Sequence, residues 1–370
     1  MNDVPLFVGV MSGTSMDAID VAAVQFDGPR PRLVAAADRP WPADLVAELR
    51  GLAAGAALPP ARFAQLEVLV AEQFACAVNE LLHAARIDPG AVTAIGCHGQ
   101  TVAHLPDATP PATLQLGDAS TLAERTGITA VSDFRRRDLA AGGQGAPLAP
   151  AFHAAYLASP QEDRAVLNLG GIANLTLLPA DAGHAPIGFD TGPANCLLDA
   201  WHRRHRGGAF DPGGRWAAGG KADAALLDQL MADPYLAGPP PKSTGTQYFS
   251  ADWLDRQLIE FAGLDPVVVQ ATLLEFTAQS VASALERWMP AVRRLLVCGG
   301  GTHNLHLVHR LGARTAVAVE STEVYGIPPD WVEAMAFAWL AARILEGKAG
   351  NLPSVTGARG FRLLGAIHPA

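Results

Sequence analysis

Three times in this chain an apolar run of strand length ends in a cluster of small residues. Leu6 to Met11 leads into Ser12-Gly13-Thr14-Ser15, Ala165 to Leu169 into Gly170-Gly171, and Arg294 to Val297 into Cys298-Gly299-Gly300-Gly301. The first two runs resume at once as apolar strands, over residues 19–26 and 172–178. Strands joined by so tight a turn pair as antiparallel neighbours, which leaves few topologies. Glycine brings a backbone close to a ligand, and successive N–H groups with Ser and Thr hydroxyls cradle anionic oxygens. One such turn is an ordinary hairpin. Three, far apart and each at a strand end, point to a nucleotide-phosphate site, and the first two read as a weak internal duplication.

The remaining chain alternates strands with helices, which predicts an α/β architecture. Further strands are expected at residues 33–37, 92–97, 113–116, 128–131 and up to Phe189-Asp190. Helices are expected at 60–86, 119–125, 196–205, 221–231, 251–262, 266–289 and 303–311. A last helix begins after Asp330, which reads as an N-cap with Glu333 as its capping-box partner, and runs to Leu345. The Gly- and Pro-rich break AAGGQGAPLAP, residues 140–150, reads as a linker or a functional loop near a domain boundary.

Hydrophobic residues make up 49% and charged residues 17% of the 370, enough for a large core and against disorder. The net charge of −9 argues against a nucleic-acid partner, and the basic run Arg135-Arg136-Arg137 is too short to change that. Cys76, Cys97, Cys196 and Cys298 lie far apart with no zinc spacing. No run is long and apolar enough for a membrane helix, and the MNDVP start carries no signal-peptide pattern. A cytoplasmic protein is the expectation. No P-loop is present: GRWAAGGKA, residues 214–222, has the wrong spacing and Ala222 where Ser or Thr is needed. No GxGxxG opens a helix after a strand.

The hairpin turns, the late strand–GGG–helix and the domain break resemble the superfamily of sugar kinases, actin and heat-shock ATPases. Within it, GVMSGTSMDAID, GCHGQTVAH, TLQLGD, SDFRRRDLAAGGQGAPLAPAFH, NLGGIANLT, GFDTGPANCLLDAW, CGGGTHN and EAMAFAWLA resemble the anhydro-N-acetylmuramic acid kinase family, in order and over essentially the whole chain. The resemblance implies a two-domain actin-like ATPase fold, a mixed sheet flanked by helices in each domain and an interdomain cleft. The domains are expected at 1–140 with about 346–370, and at 141–345. The implied reaction uses ATP and Mg2+ to open the 1,6-anhydro ring of anhydro-N-acetylmuramic acid with water and to phosphorylate O6, in cell-wall recycling. A homodimer is expected. Two positions depart from the family pattern: Ala18 and Ala194 stand where it has glycine. A positive φ at either would strain alanine by about 1 kcal/mol.

Asp190, at a strand end beside Thr191-Gly192-Pro193, is the expected base on the attacking water; a helix-capping Asp is the plainer alternative. ATP contacts are expected from Ser12, Gly13, Thr14, Ser15, Met16, Asp17, Asp20, Asn168, Gly170, Gly171, Gly299, Gly300, Gly301 and Asn304. Asp17 is the expected metal contact, since magnesium on ATP takes one or two protein carboxylates. Sugar contacts are expected from His98, Gln100, Asp190 and Glu333, and from Arg135, whose fork suits the lactyl carboxylate. His98 and His104 with Cys97 fit no zinc pattern. An ordinary sugar kinase of the same fold is the main alternative, and an actin-like filament or sugar-sensing regulator the remote one.

Overall fold

The computed structural model describes residues 4–370. Packing divides them into two compact units. The first holds residues 4–152, Tyr325–Ile327 and Trp331–Ala370, and the second His153–Val324 and Pro328–Asp330.

The first unit contains β1 (Leu6–Ser12), β2 (Ala18–Gln25), β3 (Arg32–Pro40), β4 (Val92–Leu105), β5 (Ala112–Leu116) and β6 (Ala130–Ser132). The second contains β7 (Arg164–Leu169), β8 (Ile172–Leu178), β9 (Ile187–Pro193), β10 (Arg294–Cys298) and β11 (Ala318–Ser321); the last strand, β12 (Ala366–His368), returns to the first. The first sheet is ordered β12-β6-β4-β1-β2-β3, with β5 paired to β4, and the second β11-β10-β7-β8-β9. β1 is antiparallel to β2 and parallel to β4, as β7 is antiparallel to β8 and parallel to β10. The faint echo between the two hairpins is thus a repeat of strand order. This duplicated mixed sheet with flanking helices is the actin-like ATPase architecture that the resemblance implies.

Each unit has its own core. In the first, the long Pro60–Ala85 helix buries Leu66, Val70, Phe74 and Val78 at helical spacing. In the second, the Pro266–Trp288 helix buries Leu273, Phe276, Val281 and Leu285 against Leu167, Leu175 and Val297. No described helix is long and apolar enough to cross a membrane.

Three features differ from the sequence expectation. The Val332–Leu345 helix, assigned above to the second domain, packs against β1, β2 and β4 in the first unit. A Cβ on Gly9 would sit 1.8 Å from the Ala334 carbonyl oxygen, and one on Gly96 would sit 2.0 Å from that of Phe337. Two glycines in buried strands therefore let this helix lie directly on the sheet. Second, residues 140–150 are no linker. Buried Asp138 accepts from Gly145 N at 2.8 Å, Asn351 Nδ2 at 2.7 Å and Thr356 Oγ1 at 2.9 Å, tying the loop to the unit's final segment. The boundary falls later, at Phe152/His153. Third, Asp330 does not cap the last helix, whose N-cap is Trp331 with no side-chain bond. Asp330 instead meets His303 Nε2 at 2.9 and 3.0 Å.

Candidate active site

The first hairpin turn is more committed to the fold than its composition predicts. The Ser12 hydroxyl is 1% exposed; it accepts from the Trp41 indole N–H at 3.1 Å and donates to the Ala18 carbonyl at 3.1 Å. Gly13 O accepts from Met16 N at 3.1 Å and from Gln100 Nε2 at 3.2 Å, so buried Gln100 braces the turn. The Met16 side chain is in the core, and its φ of 54° turns the chain back. Thr14 and Ser15 are left exposed at the tip. Asp17 is exposed with Arg50 3.8 Å away. Asp20 lies within β2, in register with Met11 on one side and Asp38 on the other. Ser12→Ala is expected to cost about 1–3 kcal/mol, because it strands a buried indole N–H. Denaturant unfolding measures this, and an unchanged midpoint would contradict the assignment.

Ala18 lies in β2, and Ala194 has φ −113°, so neither occupies the positive-φ region and the strain that region would impose on alanine does not arise.

Arg135 lies between His98, which it contacts, and the charge of Glu333, all in the first unit. Arg135 Nε and Nη2 donate to His98 Nε2 at 3.0 and 2.7 Å, and Nη1 donates to the Gly145 carbonyl at 2.8 Å. Burial pushes the guanidinium down to about 10, with Glu333 opposing. Glu333 keeps exposed surface, yet the protein around it strips enough water to raise its carboxyl, and Arg135 opposes that rise. His104 lies aside, with Nδ1 3.0 Å from the Thr113 hydroxyl. Cys97 is buried, which pushes its thiol up to about 12. Arg136 sits 3.5 Å from Asp133, and Arg137 is exposed.

In the second unit the Gly170-Gly171 turn has its carbonyls occupied. Gly170 O accepts from Asn195 N at 3.1 Å and Asn195 Nδ2 at 2.7 Å, and Gly171 O from Ala194 N at 2.9 Å and Cys196 N at 3.1 Å. The first two N–H groups of the Asn195–Arg206 helix are thereby satisfied by the turn. In a trans peptide the N–H opposes the C=O, so the amide of Gly171 points away from that helix. The triple glycine has two packing roles and one open position. A Cβ on Gly299 would lie 2.3 Å from Asn168 Oδ1, one on Gly301 would lie 2.6 Å from Leu169 Cβ, and one on Gly300 would meet nothing within 4 Å. Asn304 caps the Leu305–Thr315 helix through Leu307 N at 3.0 Å, a fold role where an ATP contact is expected.

Asp190 is the most closely held carboxylate among the expected site residues. It lies on β9 directly across from Asn174 on β8, whose Nδ2 donates to Oδ1 at 2.7 Å. Thr244 N donates to Oδ2 at 2.8 Å. The backbone is held as well: Asp190 N donates to Lys242 O at 3.1 Å, and the Tyr235 hydroxyl donates to Asp190 O at 2.8 Å. Burial raises the carboxyl above its ordinary range against the pull of Asn174, Thr244 and Lys242. Asp190 caps no helix, since the Asn195–Arg206 helix has no side-chain cap. The sequence pattern alone does not mark Asn174, Lys242 and Thr244, although Asn174 lies inside NLGGIANLT and Ser243-Thr244-Gly245-Thr246 is a run of small, mostly hydroxylated residues. Among the described residues no cluster of three or more His, Cys, Asp or Glu could hold a metal.

A family model described as anhydro-N-acetylmuramic acid kinase matches residues 5–370. The chain belongs to the anhydro-N-acetylmuramic acid kinase family. It is a kinase, a phosphotransferase. A relative named anhydro-N-acetylmuramic acid kinase, from Xanthomonas axonopodis pv. citri (strain 306), is 56% identical over 373 residues, covering 100% of this chain and 99% of its own. One of the same name from Xanthomonas oryzae pv. oryzae (strain MAFF 311018) is 55% identical over 370 residues, covering 99% and 97%. Among solved structures, component A of the Acidaminococcus fermentans (R)-2-hydroxyglutaryl-CoA dehydratase is 13% identical with a TM-score of 0.45, covering 91% of this chain and 99% of that one.

Proposed function

We propose that this member of the family opens the 1,6-anhydro ring of anhydro-N-acetylmuramic acid with water and transfers the γ-phosphoryl group of ATP to O6, giving N-acetylmuramic acid 6-phosphate. The observation that carries the reading is Asp190: a carboxylate fixed by two hydrogen bonds to its oxygens and two to its backbone, with its pKa raised by burial. It takes a proton from water as the oxygen bonds to C1. The C1–O6 bond breaks, its electron pair stays on O6, and O6 bonds to the γ-phosphorus as the bond to ADP breaks. The proton then leaves Asp190 for solvent. No separate acid is needed at O6, because phosphorus captures it.

Thr14, Ser15 and the Gly171 amide are assigned to the phosphates, Arg135 to the lactyl carboxylate and Glu333 to the sugar. A lone exposed carboxylate beside an arginine, as Asp17 is, suits a magnesium ion carried in on ATP phosphates better than a resident ion. Such an ion would neutralise phosphate charge. A cytoplasmic location and a homodimer belong to the same reading, and analytical ultracentrifugation tests the latter.

Turnover in 18O-labelled water tests the reaction. One labelled oxygen is expected at C1 of the phosphorylated product. Phosphate gain without label would instead mark an ordinary sugar kinase. The pH profile tests the base. A protonated carboxyl cannot accept the proton, so kcat is expected to fall as pH drops through the raised pKa of Asp190. The acid limb should lie above the ordinary aspartate value of about 3.9, and a limb at or below it would count against Asp190.

A further inference from the structure

Arg135 is held in an unusual way for a half-buried cation. Its nearest fixed partner is an imidazole rather than a carboxylate. No ion pair within 4.0 Å involves Arg135 among the described residues. Arginine only donates, so the ring nitrogen facing it, Nε2, must be the bare acceptor and the proton must sit on Nδ1. His98 is thus in its neutral form, and burial together with the Arg135 charge keeps it there. The ring is itself fixed: His98 is 4% exposed, sits on β4, and packs against Phe337 with centroids 4.7 Å apart, and Phe337 packs on Phe134 at 5.4 Å.

A carboxylate at position 98 would hold the guanidinium equally well but would neutralise it. A neutral acceptor holds it and leaves its charge for a ligand. Three of the five guanidinium N–H groups are used within the protein, on His98 twice and on Gly145, which leaves two for an incoming anion.

We propose that His98 is a positioning residue, holding Arg135 without neutralising it, so that the guanidinium charge selects the substrate's carboxylate over an uncharged group of the same shape. This rests on the assignment of Arg135 to the lactyl carboxylate above.

The test is steady-state kinetics on anhydro-N-acetylmuramic acid and on its lactyl amide. The unaltered enzyme is expected to favour the acid by about ten- to hundredfold in kcat/KM, the usual span for a charge-assisted hydrogen bond. His98→Gln keeps an uncharged acceptor and should retain most of that preference. His98→Met keeps bulk without the acceptor and should lose most of it, through a higher KM for the acid rather than a lower kcat. His98→Glu should abolish it by pairing with Arg135, and this arm decides the matter if His98→Met does not fold. Preference kept in His98→Met or His98→Glu overturns the proposal. Arg135→Met separates the two layers. If it keeps the preference, the carboxylate assignment itself fails. If it loses the preference while the His98 variants keep it, only the role of His98 fails.

Discussion

Asp190→Asn is expected to lower kcat by about 10²–10⁴-fold, the range for loss of a general base, while the protein stays folded and still binds both substrates. The neighbours make this substitution informative. Both contacts to the carboxylate are donors, from Asn174 Nδ2 and Thr244 N. An asparagine can keep its oxygen on the Thr244 amide and turn its NH2 to Asn174. The Asn174 side chain then rotates its amide end for end and accepts. Every hydrogen bond survives, and only the proton acceptor is lost. Single-turnover phosphorylation and calorimetric binding of the sugar separate the two effects. Near-normal turnover, or failure to bind, would sink the assignment of Asp190 as the base.

Gly9→Ala is expected to destabilise the first unit by more than about 3 kcal/mol, beyond the ~1–3 kcal/mol of ordinary overpacking. The added methyl would lie 1.8 Å from the Ala334 carbonyl oxygen and 2.7 Å from Ala338 N, and both are backbone atoms of a helix already buried on the sheet. No side-chain rotation relieves such a contact, so the helix must move. Glu333 in its first turn moves with it, and the KM for the sugar should rise alongside the fall in stability. Chemical denaturation and sugar KM measure the two. A variant with unaltered stability would show that the helix does not lie so close to β1.

Much of the fold was legible because it is local. The two hairpins follow from apolar runs broken by Ser12–Ser15 and Gly170-Gly171, and the Pro60–Ala85 helix from its buried stripe. What the local pattern could not supply was the partner of each group. Ser12 reads as a phosphate ligand until Trp41, far along the chain, occupies its hydroxyl. Asp330 has the spacing of a cap, yet His303 takes it. Asn304 sits beside a nucleotide-like glycine cluster but satisfies the helix that follows. The clamp on Asp190 joins β8, β9 and the segment around Thr244, and only the folded sheet brings them together. The placement of the last helix had one overlooked signal: glycine inside a buried strand, at Gly9 and Gly96, marks a close approach by another backbone.

That helix also sets an order of assembly. During synthesis the chain emerges from its N-terminal end, and domains fold as units when their residues are available. The second unit draws almost wholly on one continuous stretch, His153–Val324, and can close once that stretch has emerged. The first unit begins earlier but waits, because the surface around Gly9 and Gly96 stays uncovered until residues 331–345 arrive. The domain that starts first is therefore finished last, and the nascent chain carries an open apolar sheet face through the whole translation of its neighbour.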